Sequence, residues 1–92
     1  METTTRNATK YLESVLDPLI PGGCEVLLDD NTEKGLAYSI VPKVYGDWKF
    51  LIGPRGATIG TIRSVMKLWK DRQAPDIVIN VYVPDSRYIS TE

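Results

Sequence analysis

The stretch Leu51-Ile52-Gly53-Pro54-Arg55-Gly56-Ala57-Thr58-Ile59-Gly60-Thr61-Ile62 contains the residues whose types and spacing could do chemistry in this chain. Gly53 and Gly56 stand three apart and enclose Pro54 and Arg55. Glycine is needed where backbone must approach a ligand without a Cβ in the way, or where φ must turn positive. A glycine-flanked loop that opens a helix also turns free N–H groups and the positive end of the helix dipole toward an anion. Ile59 and Ile62, three apart, share one face of that helix and can anchor it to a core, with Ile52 just ahead of the loop. Arg55, at an apex with no core to fill, is the natural phosphate contact. The chemistry on offer is reversible capture of an anion by backbone and charge.

Other chemistries fit poorly. The 92 residues contain no histidine, which removes the commonest general base and the commonest metal ligand. A single cysteine excludes an internal disulfide and fits a reducing cytosol, so a cytoplasmic setting is expected, with no cofactor and no metal. No nucleophile–base pair is visible, and an enzyme is not expected. The glycine pair lacks the third glycine of the dinucleotide fingerprint and the Gly-Lys-Ser/Thr ending of a P-loop. Asp29-Asp30-Asn31-Thr32-Glu33 resembles a calcium loop only superficially. An EF-hand needs glycine at its sixth position, where Lys34 stands, and glutamate at its twelfth, where Ile40 stands. No run is long enough to span a membrane, and Met1-Glu2-Thr3-Thr4-Thr5 lacks the basic and apolar regions of a signal peptide.

Net charge is −1, but it is unevenly placed. Residues 1–42 carry three cations against seven anions, a net −4, and residues 73–92 carry one against three, a net −2. Residues 43–72 carry seven against two, a net +5. The positive block coincides with the glycine loop and the helix after it, the footprint expected of phosphate contact. Lys49, Arg55, Arg63, Lys67 and Lys70 would supply the attraction.

The elements that must position these residues follow from periodicity. Ala8, Tyr11, Leu12, Val15, Leu16 and Leu19 recur at helical spacing, with Thr5 or Asn7 as cap and Pro18 and Pro21-Gly22-Gly23 as the stop. Cys24, Val26 and Leu28 alternate with polar or outward residues as a half-buried strand. Asp29 to Gly35 reads as a polar turn. Leu36, Tyr38 and Ile40 form one face of a second strand, which Pro42 ends, and the two strands make a hairpin. Val44 to Leu51 reads as a short helix burying Trp48, Leu51 and Ile52. A long helix over 57–72 buries Ile59, Ile62, Val65, Met66 and Trp69. Ile77 to Val83 is the last strand. Residues 1–6 are expected as a flexible N-terminus, 7–84 as one small domain and 85–92 as a loose polar tail. Trp48, Trp69, Tyr38 and Tyr82 read as packing residues and Cys24 as a small buried apolar one. Tyr45, in a polar turn, is balanced between packing and base stacking.

The pattern Ile52-Gly53-x-x-Gly56-x-x-Ile59-x-x-Ile62 fills the signature of the KH domain without a gap, and the chain resembles that family. With a hairpin before the loop and one strand after it, the order resembles the type II, prokaryotic arrangement. The implied fold is α+β, α-β-β-α-(GxxG)-α-β, with a three-stranded sheet packed on one side by helices. A stand-alone domain of this order is similar to the small bacterial single-KH RNA-binding proteins of the KhpA/YlqC-like group. The family's loop clamps about four nucleotides of single-stranded RNA or DNA. By resemblance, Gly53, Pro54, Arg55 and Gly56 face the sugar-phosphate backbone, and Ile52, Ile59 and Ile62 support the loop and partly floor a base groove. On helical geometry Thr58 and Arg63 lie near that groove, Lys49 adds long-range attraction, and by resemblance Ala37 to Val41 of the second strand form the opposite wall. Pro54 stands where many KH loops carry a cation and removes one N–H donor, as in the KH loop of polynucleotide phosphorylase.

The expected function is therefore non-catalytic binding of single-stranded RNA, or single-stranded DNA, at the Gly53–Gly56 loop. The alternative is a KH fold kept for protein–protein assembly, with little nucleic-acid affinity. The resemblance also implies a homodimer, or a hetero-complex with another KH protein; with no spanning run in the sequence, no membrane partner is expected.

Overall fold

The computed structural model describes residues 2–84. Its elements run helix α1 (Glu2–Leu16), strands β1 (Cys24–Thr32) and β2 (Gly35–Pro42), helix α2 (Trp48–Ile52), helix α3 (Ala57–Gln73) and strand β3 (Val78–Tyr82). Single 3-10 turns at Tyr45–Asp47 and Pro54–Gly56 precede α2 and α3. The fold is α+β, three helices on a three-stranded mixed sheet of order β1-β2-β3, in which β1 and β2 are antiparallel and β2 and β3 parallel. The expected tail, 85–92, lies outside the described residues. Among the described residues no helix is long and apolar enough to cross a membrane.

β2 is the middle strand and the clearest case of pattern becoming structure. Leu36, Tyr38 and Ile40 alternate inward and are buried. They meet Ala8, Leu12 and Leu16 of α1 and Ile59, Ile62 and Met66 of α3 in one core. Tyr38 hides its ring completely and shares a hydrogen bond of 2.8 Å between its hydroxyl and that of Thr9, so burial leaves no polar atom unpaired. Burial also holds the Tyr38 phenol above its ordinary pKa.

Several boundaries differ from those the periodicity suggests. The first helix is already formed at Glu2, so residues 2–6 belong to it and neither Thr5 nor Asn7 caps it. Thr5 instead donates its hydroxyl to Asn31 Oδ1 at 3.3 Å and its carbonyl accepts from Thr9. The helix stops at Leu16 because Pro18 cannot continue the ladder. The tightened turn that follows buries Ile20 and leaves Leu19 43 % exposed. β1 runs on to Thr32, and the hairpin turn shrinks to Glu33-Lys34, closed by Thr32 Oγ1, which accepts from the N–H groups of Lys34 and Gly35 at 3.2 Å. A bulge at Asp29 takes up the extra residue. Leu28, read as inward, is 40 % exposed, at the point where the bulge interrupts the alternation of this outer strand.

The helix read across Val44 to Leu51 divides into the turn at Tyr45–Asp47 and the five-residue α2. Trp48 and Leu51 are buried and Ile52 is half-buried. Asp47, itself buried, accepts the N–H of Gly22 at 2.8 Å and so ties the turn after α1 to the start of α2. Trp69 is half-buried and stacks on Tyr11 with ring centroids 6.2 Å apart, joining α3 to α1.

Candidate nucleic-acid interface

The loop between α2 and α3 is built from positive φ. Gly53 has φ 72 and ψ 173, Arg55 φ 56 and ψ 27, and Gly56 φ 77 and ψ 16. The N–H of Gly53 closes α2 onto the Lys49 carbonyl at 3.0 Å, and the N–H of Gly56 returns to the Gly53 carbonyl at 3.2 Å. Gly53 is needed twice over. Its φ disfavours any L side chain, and a Cβ there would collide with the Thr58 hydroxyl and come within 2.8 Å of the Thr58 nitrogen. At Gly56 space is open, so φ alone sets the requirement. Arg55 holds the left-handed region without being glycine, a conformation that costs of order 1 kcal/mol. Its side chain is exposed and has no ion pair among the described residues. Among the described residues no side chain caps α3, so its first turn faces the loop with backbone donors and the positive end of the dipole.

Each residue expected at the site can be placed. Pro54 and Arg55 are exposed at the apex. Ile59 and Ile62 are core residues, 6 % and 0 % exposed, on the inner face of the helix that follows the loop. Ile52 is half-buried beside the loop. Thr58 packs back against Gly53 rather than lining the groove, because positions 58 and 63 lie far apart around a helix. Lys49 is exposed with Nζ 5.3 Å from the centre of the Phe50 ring. Phe50, 43 % exposed one turn before the loop, is an aromatic that periodicity did not single out.

Arg63 does lie in a groove, of about 520 Å³, between α3 and β3. Arg63, Lys67 and Lys70 form one side and Val78–Tyr82 the other. The wall expected from Ala37 to Val41 is therefore supplied by β3, since β2 sits mid-sheet with β3 on its groove side. β3 comes back along α3 after the turn at 74–77, so its Tyr82 end returns toward the glycine loop. The N–H of Val78 donates to the Lys34 carbonyl of the hairpin at 2.9 Å. Alternation along the strand then aims the backbone groups of Ile79 and Val81 at the open edge. There Arg63 Nε donates to the Val81 carbonyl at 2.9 Å.

Asp71 borders this groove and takes hydrogen bonds from both lysines, which hold its carboxyl below the ordinary aspartate range. Among the described residues no three metal-ligating side chains cluster. The pieces sequence reasoning missed, Phe50 and the β3 wall, left weak signals: an apolar residue off the buried face of α2, and a strand free of charge beside a basic helix. No family model matches this chain, and no curated protein or solved structure was found to be similar to it.

Proposed function

We propose that this protein is a non-catalytic single-stranded RNA-binding module of the type II KH kind, working in the cytoplasm. The Gly53-Pro54-Arg55-Gly56 loop clamps backbone phosphate, and the strand then follows the basic groove between α3 and β3. The observation that carries this reading is the loop itself. Gly53, Arg55 and Gly56 all hold positive φ, and this backbone presents an exposed guanidinium, without an ion pair among the described residues, at the open end of a 17-residue helix. Backbone held in such conformations against a local cost is a mark of functional loops. Pro54 fixes its own φ and lowers the ordering cost of binding.

The test is fluorescence anisotropy of a labelled pool of short single-stranded RNAs at low and moderate salt, with wild type and the Pro54→Asp, Arg55→Asp double variant. Aspartate tolerates left-handed backbone, so the fold should survive, which circular dichroism checks. If about three phosphates are neutralised, affinity falls with salt at a log–log slope of about −2, and the double variant does not bind. A slope near zero, or a folded double variant binding like wild type, overturns the reading.

The second reading, an assembly module, is favoured by one observation. The sheet face away from the helices exposes Leu27, Val78 and Tyr82, at 45 %, 57 % and 51 %. Its signature is a stable homodimer or hetero-complex with another KH protein and no affinity for RNA.

A further inference from the structure

The three cations of the α3–β3 groove are not equally free to meet an anion. Among the described residues Arg63 is anchored to the Val81 carbonyl through Nε alone, which leaves its terminal N–H groups for another partner. Lys67 and Lys70 both end on one carboxylate: Nζ of Lys67 is 3.0 Å from Asp71 Oδ2, and Nζ of Lys70 is 3.2 Å from Oδ1. Lys70 also donates to the Pro75 carbonyl at 3.1 Å, and its side chain is only 18 % exposed against 74 % for Lys67. Asp71 lies one turn beyond Lys67 on α3, so the pair draws that ammonium toward the end of the groove far from the glycine loop. Exposed pairs of this spacing contribute little to stability. The arrangement is therefore not needed to hold the helix together.

We propose that Asp71 is an internal counter-ion that sets the phosphate affinity of the groove by holding Lys67 and Lys70 until an incoming phosphate displaces it. The inference rests on the nucleic-acid reading above. A phosphate that reaches Lys67 must compete with a carboxylate already in place, so part of each new ion pair replaces an old one. Binding is then weaker and its salt dependence shallower than three groove cations would give. Among the described residues Arg55 at the loop and Arg63 in the groove have no acidic partner, so they make first contact.

The experiment compares wild type, Asp71→Asn and Glu25→Gln against a labelled single-stranded oligouridine over a range of salt. Both variants remove one negative charge, but Glu25 lies on the opposite edge strand of the sheet. Asp71→Asn should tighten binding at low salt about threefold, from one nearby charge removed. It should steepen the log–log salt slope by about 0.7, the value for one more neutralised phosphate on a single strand. Glu25→Gln should change neither appreciably. If both variants tighten binding equally, net charge explains the gain; the Asp71 inference then fails while the nucleic-acid reading stands. If Asp71→Asn alone leaves wild-type behaviour unchanged, the inference fails in the same way. Silence from wild type and Asp71→Asn alike overturns both. Binding by Asp71→Asn where wild type is silent sustains both.

Discussion

The two edges of the sheet are protected in opposite ways. β1 defends its edge within its own sequence: it is long, bulged at Asp29, and carries Glu25, Asp29 and Asp30. Ser39 of β2 donates to the Asp29 carboxylate across the bulge. Charge and a bulge on an edge strand discourage pairing with another chain. β3 has five residues, Val-Ile-Asn-Val-Tyr, with neither charge nor proline. Its protection is borrowed from α3, by way of Arg63 on the Val81 carbonyl. An edge closed by its own charges is finished, whereas one guarded by a side chain from a neighbouring helix can be uncovered. The difference leaves β3 as the edge that can be uncovered.

The largest effect should come from breaking the seam that holds β3 in place. A Cβ at Gly35 would run into the Val78 carbonyl directly across the β2–β3 pair. Gly35→Val should cost about 3 kcal/mol in urea unfolding and remove the groove wall, so RNA affinity should fall with it. Wild-type stability would mean that β3 is not held by this register. Next in size is Arg63→Ala. Loss of the bond to Val81 should cost about 1 kcal/mol. The bare edge should then show concentration-dependent self-association by sedimentation, and a monomer would break the contrast between the edges. The smallest effect belongs to β1. Burial, then the charges of Asp47 and Asp17, push the Cys24 thiol from 9.0 up to about 11. Near neutral pH its thiolate is scarcer than that of an ordinary cysteine, and alkylation by iodoacetamide should be slower. Because the raised value favours the neutral thiol in the folded state, the associated stability is intact below 9.0. It should be lost as pH rises through about 11, with Tyr38 acting in the same direction.

Much of this was legible where a residue's neighbours along the chain are also its neighbours in space. Leu36, Tyr38 and Ile40 alternate and are buried together; Ile59, Ile62 and Met66 share the inner face of α3 as their spacing requires. The Gly53–Gly56 loop announced itself through residue type, and positive φ at both glycines explains why. Sequence spacing could not reveal partners brought from elsewhere. Leu28 fits the alternation, yet nothing in its own strand announces the bulge that follows it. Thr58 and Arg63 follow the same loop, but one turns back to Gly53 and the other reaches Val81. The identity of the groove wall depended on strand order, which no local pattern encodes. A proline set the end of α1, but the inward turn of Ile20 in place of Leu19 followed from how tightly the chain closed after it.

The parallel pairing of β2 with β3 has a consequence in time as well as in space. The hairpin joins β1 and β2 through two residues, so its contacts are local and can form early. β3 pairs with β2 across the chain from Lys43 to Ile77, which carries α2, the glycine loop and α3. Closing a connection of that length carries a larger entropy cost before any contact returns it. The hairpin is a property of its own few residues, and the groove is a property of the completed molecule.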